Sequence, residues 1–128
     1  MKSYRVILAN QPRLLRSLLR RVLRKTGDID VVGEVTDLES LPPAVEQTEA
    51  QWVIVSLWRN GDFPETLRSL MLEHPALCLL GLAADGSQAM VRCPGLSDTP
   101  VADLSLEGLF AALRSREPKE RVPVRRFR

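Results

Sequence analysis

Trp52-Val-Ile-Val-Ser-Leu57 is an almost unbroken apolar run of strand length. A strand with no polar side belongs in a sheet covered on both faces, as at the centre of a parallel sheet, and such a sheet needs helices on both sides. Leu77-Cys-Leu-Leu-Gly-Leu-Ala83 has the same character. Two such strands in a chain of 128 residues, 45% of them hydrophobic, imply one α/β domain with one sheet. Two domains are not expected.

The intervening segments supply the helices. Tyr4-Arg-Val-Ile-Leu-Ala9 is rich in strand formers and stops at Asn10-Gln11-Pro12. From Arg13 to Lys25, Leu14, Leu15, Leu18, Leu19, Val22 and Leu23 recur at helical spacing and predict one core-facing stripe, with the arginines opposite. Thr26-Gly27-Asp28 ends that helix. Ile29 to Val35 reads as a strand, and Leu38 to Glu46 as a short helix that starts properly only at Pro42. Phe63-Pro64 opens a third helix, which runs through Leu67, Leu70 and Met71 to about Glu73, and Ser105 caps a last one over Leu106 to Ser115.

Asp85-Gly86 interrupts this rhythm, lying between two apolar-leaning runs as in a hairpin. Only eleven residues separate Ala83 from Gly95, so a hairpin, or at most one helical turn, is expected where a fourth helix would normally stand.

The net charge of +2 hides an uneven distribution. Residues 1–27 sum to +8, residues 28–113 to −11 and residues 114–128 to +5. Such asymmetry favours head-to-tail association or an acidic partner, unless the basic first helix simply neutralises the acidic middle. The segment after Arg116 has no core periodicity and is expected to form a basic flexible tail over 116–128, mobile or docked on a partner. Cys78 and Cys93, with His74 the single histidine, fit no zinc spacing and are expected as reduced thiols, Cys78 in the core. The apolar run behind Lys2 and Arg5 is too short for a signal-peptide core and no stretch is long enough to span a membrane, so a cytoplasmic protein is expected.

The order of elements and several strings resemble the receiver domain of bacterial two-component response regulators, particularly the subfamily that carries a helix-turn-helix output domain. The matching strings are Val6-Ile-Leu-Ala9, Pro12 with Leu14-Leu15-Arg16, Asp28 to Val35, Trp52 to Leu57, His74-Pro75-Ala-Leu77 and Ser105-Leu-Glu-Gly-Leu109 with Ala112-Leu-Arg114. The resemblance covers residues 4–115. It implies a flavodoxin-like, doubly wound, parallel five-stranded sheet whose fourth helix is shortened or replaced by the hairpin.

In that family an acidic pair ending the first strand holds Mg²⁺ and an aspartate ending the third strand accepts the phosphoryl group. A Ser/Thr and a lysine at the ends of the fourth and fifth strands contact the phosphoryl oxygens. The corresponding positions here are Asn10 and Gln11, Ser56, Ala83 and Ala102, so every one of these groups is replaced. Two neutral amides lack the charge that would offset dehydration of Mg²⁺, and an aspartyl phosphate has no acceptor. The resemblance therefore implies a non-enzymatic pseudo-receiver, without metal or cofactor, that acts by protein–protein association as a homodimer or with another protein. Its surface is expected to include Arg13, Arg16, Arg20 and Arg24. Trp58, next to the strand end, either packs over the vestigial pocket or anchors a partner.

The alternative is a nucleic-acid-associated regulator that uses those arginines with Arg114, Arg116, Lys119, Arg121, Arg125, Arg126 and Arg128. Enzyme readings find no support: GxGxxG, GxxxxGK[ST] and GxSxG are all absent.

Overall fold

A computed structural model describes residues 3–115 of the chain. The expected tail, with Arg121, Arg125, Arg126 and Arg128, lies outside the described residues.

The elements are β1 (Tyr4–Ala9), α1 (Arg13–Arg24), β2 (Ile29–Glu34), a 3-10 turn (Leu38–Ser40), α2 (Leu41–Thr48), β3 (Trp52–Ser56), α3 (Leu67–Glu73), β4 (Cys78–Leu82), β5 (Ala89–Arg92), β6 (Thr99–Pro100) and α4 (Leu106–Arg114). They build one sheet in the order β2-β1-β3-β4-β5-β6. The first four strands in that order are mutually parallel. Alternation within β1 and β3 divides the core in two: Val6, Leu8, Trp52 and Ile54 face α1 and α4, while Ile7, Val53 and Val55 face α2 and α3. The sheet is doubly wound, as the apolar runs require.

The sheet is not, however, the expected five-stranded parallel one. It has six strands, and β5 and β6 run antiparallel to their neighbours. The cause is connection length. A parallel crossover takes a dozen or more residues, and only residues 83–88 join β4 to β5. The chain turns at Asp85-Gly86 instead. Gly86 adopts φ +76°, its amide donates to the Ala83 carbonyl at 3.0 Å, and the Ala83 amide donates to the Gln88 carbonyl at 2.9 Å. The hairpin is the one expected from sequence, and a second tight return through Gly95 adds β6.

This hairpin also corrects the reading of the cysteines. The β4–β5 ladder pairs Leu79 with Arg92, so Cys78 and Cys93 fall opposite each other one step further along, and they are joined as a disulfide with Cα atoms 4.4 Å apart. That spacing is the one antiparallel strands give a pair between ladder hydrogen bonds. Both residues are buried.

Helix α1 departs from its expected stripe as well. Leu19 and Leu23 are buried, but Leu14 is 81% and Leu18 46% exposed, and Arg16 takes a core-facing position at 6%. At the far end, the Ser105 hydroxyl accepts from the Gly108 amide at 3.2 Å, the cap expected for α4. Arg114 closes that helix against the start of β2 through two hydrogen bonds to Asp28, at 2.7 and 2.8 Å.

Candidate functional site

In a doubly wound sheet, the carboxyl ends of adjoining strands whose connections leave to opposite faces form a natural crevice. Here β1 and β3 are such neighbours, since α1 and the helices after β2 and β3 lie on opposite faces. Asn10, Gln11 and Ser56 stand at this point.

Neutral hydrogen bonds close it. The Gln11 amide donates to Ser56 Oγ at 2.6 Å, and the Ser56 hydroxyl donates back to the Gln11 carbonyl at 3.2 Å. Gln11 Nε2 reaches the other way and donates to the Thr36 carbonyl, just past β2, at 3.3 Å. The ends of β2, β1 and β3 are thereby linked by groups without charge. The Ser56 hydroxyl is engaged as both donor and acceptor, and among the described residues no base holds its proton for removal. Asn10 is fully buried, and neither of its side-chain polar atoms has a partner among the described residues.

A cation lies against the end of β1. Arg16 reaches back from the second turn of α1 and donates from Nη1 to the Asn10 carbonyl at 3.2 Å. Its Nε lies 3.2 Å from Glu34 Oε1, and Arg20 Nη1 lies 2.8 Å from Glu34 Oε2. Glu34, the last residue of β2, thus holds two guanidinium groups. Arg16, expected on a partner surface, is not there: it spaces with Leu19 and Leu23 at three and seven residues, which turns it inward. That spacing is the signal in the sequence, and it runs against the outward preference of arginine as a residue type. Arg20 is half-buried in the same pair, while Arg13 and Arg24 are exposed as expected.

The remaining positions are only partly gathered. Ala83 begins the β4–β5 turn and its backbone is committed to that turn. Ala102 is exposed in the loop after β6, in a cavity of about 580 Å³ shared with Cys93, Leu96 and Ala112, and not with Asn10 or Ser56. The fifth strand that would carry it to the crevice has been replaced by the antiparallel return. Trp58 is 51% exposed, with its amide donating to the Asp62 carbonyl at 2.8 Å, so it does not close over the crevice as a packed lid. Among the described residues no group of three or more His, Cys, Asp or Glu is placed to hold a metal ion. No described helix is long and apolar enough to cross a membrane.

No family model matches the chain, and no curated protein matches it. Among solved structures, it is similar to the non-phosphorylated receiver domain of the stress response regulator RcsB from Escherichia coli, with a TM-score of 0.56 and 22% identity. The fold is receiver-like. The match covers 63% of this chain and 65% of that one, so the likeness concerns about two thirds of each. The sheet order beyond β4 is not typical of that fold.

Proposed function

We propose that the chain is a non-enzymatic pseudo-receiver: a regulatory domain that keeps receiver-like architecture, is not phosphorylated, and acts by protein–protein association. The observation that carries this reading is the reciprocal Ser56–Gln11 pair. A switching receiver needs an acceptor carboxylate and a metal held by carboxylates at these strand ends. Here the ends are joined by uncharged groups, with Arg16 alongside already paired with Glu34. Three carboxylates crowded together repel unless a cation holds them, so their replacement also removes a source of strain that phosphorylation would otherwise modulate.

Association is the activity left to such a domain, and α1 offers the surface. Leu14 and Leu18 are exposed there, with Arg13, Arg21 and Arg24 around them. The nucleic-acid reading loses ground by the same geometry, because Arg16 and Arg20 are committed to Glu34 and Arg114 to Asp28. The reading keeps the chain in the cytoplasm, a compartment whose reductants oppose the Cys78–Cys93 bond. Counting alkylatable thiols in unfractionated extracts decides that point.

Size exclusion with light scattering, together with co-purification of the full chain, tests the association. Self-association or a stoichiometric protein partner, either one weakened by Leu14→Ser, is the expected result. A strict monomer that retains no partner contradicts the reading.

A further inference from the structure

The two faces of the sheet are of opposite character. On one, α1 presents an outward ridge in which Leu14 and Leu18, one turn apart, are 81% and 46% exposed, and Arg21 continues the ridge one turn further on. Arg13, Arg21 and Arg24 have no ion-pair partner among the described residues. On the other face, a groove of about 770 Å³ runs between the 3-10 turn and α2 on one side and α3 on the other. Its apolar lining comes from Leu38 and Pro42 above the buried Leu41, Leu67 and Leu70, and Asp37, Glu39 and Glu73 stand on its rim. Glu39 and Glu73 are exposed and make no ion pair among the described residues. Arg68 is the one exposed cation on α3.

Resting on the association reading above, we infer that the occupant of this acidic groove is the α1 ridge of a second copy of this chain. The apolar step of the ridge matches the apolar floor, and the ridge arginines meet a carboxylate rim. A partner with these properties needs a leucine pair flanked by cations, and α1 is such a partner. Because ridge and groove lie on opposite faces of the sheet, a molecule docked through its ridge leaves its own groove open. The contact is heterologous, so assembly continues past the dimer instead of closing on itself. It is also small and charge-guided, which makes it weak, concentration-dependent and sensitive to salt.

Light scattering of the full chain over a concentration series, with two surface variants, tests this. The weight-average mass of the unmodified chain should rise past that of a dimer and fall when salt is raised. The variant Leu14→Ser/Arg21→Ser loses the ridge, and Glu39→Lys/Glu73→Lys loses the groove rim. All four positions are exposed, so circular dichroism should show both variants folded. Each alone should stay monomeric. An equimolar mixture should form one-to-one dimers and nothing larger, since it holds one intact ridge on one partner and one intact groove on the other.

A dimer that stops at two subunits, and is broken by the ridge variant but not by the groove variant, overturns the head-to-tail contact and leaves the association reading standing. An unmodified chain that stays monomeric at every concentration also overturns it. If that monomer still retains a foreign partner, the association reading survives; if it retains none, both fail.

Discussion

Ser56 Oγ accepts a hydrogen bond from the Gln11 amide at 2.6 Å and donates one to the Gln11 carbonyl at 3.2 Å, fastening the end of β3 to the residue that leaves β1. A side chain so engaged is a structural clasp. Its proton is given to a backbone carbonyl, which is no base, so nothing activates the hydroxyl to attack a phosphoryl group.

The clasp makes Ser56→Ala a mild stability variant. Two hydrogen bonds are lost at a half-buried site, and water replaces part of what they gave, so the cost is about 1–2 kcal/mol. Urea unfolding should show a lower midpoint with an unchanged slope. No loss of stability would mean that the pair does not hold the strand ends.

Glu34 carries more. Its carboxylate compensates Arg16, whose side chain is 7% exposed, and also receives Arg20. Glu34→Gln leaves the Arg16 guanidinium buried with only the Asn10 carbonyl and a neutral amide, at a cost of about 2–3 kcal/mol. Arg16→Met, which removes the buried charge while keeping much of the volume, should cost less. Chemical denaturation of the two single variants checks this, and the reverse order would show that Arg16 is not an ion held by Glu34.

The Cys78–Cys93 bond closes a loop of sequence separation 15 around the β4–β5 hairpin. Constraint of the unfolded chain by a loop of that length is worth about 3 kcal/mol. Thermal unfolding with and without reductant should therefore show a clear fall in Tm on reduction. Two titratable thiols in the unreduced, denatured protein would contradict the pairing.

Acid should loosen the molecule at two places. The Arg114 guanidinium, hydrogen-bonded to Asp28, holds that carboxyl below its ordinary value of 3.8, and Arg92 does the same for Asp98. Lowered folded values mean that both pairs contribute fully above about pH 4, and that their contribution disappears as pH falls below 3.8 through the lowered values. Both side chains are more than a third exposed, so each contributes at most about 1 kcal/mol. The double variant Asp28→Asn/Asp98→Asn should be slightly less stable at neutral pH and show a shallower acid loss. An identical acid limb would refute the assignment.

Much of the framework was legible because it follows from chain-local rules. The double-sided apolarity of Val53 to Val55 and of Leu79 to Leu82 required a covered sheet, Asp85-Gly86 marked the hairpin, and Ser105 marked the start of α4. The strand after the hairpin is not legible: the family resemblance implies a parallel fifth strand ending near Ala102, whereas Thr99–Pro100 returns antiparallel beside β5. The cysteine pair was not legible, since it depends on the register of β4 against β5, a non-local quantity. Arg16 follows helical phase and not residue type, facing inward with Leu19 and Leu23. At the strand ends, the sequence showed which chemical groups were missing, but the clasp between Ser56 and the Gln11 backbone depends on how two separate strands finish side by side.

Incubation of the full chain with Mg²⁺ and a small acyl-phosphate donor, read by intact mass and by amide chemical shifts, tests the pseudo-receiver account most directly. The account predicts an unchanged mass and no Mg²⁺-dependent shift at Asn10, Gln11 or Ser56. Addition of one phosphoryl group, or saturable Mg²⁺ shifts at those three residues, would contradict it.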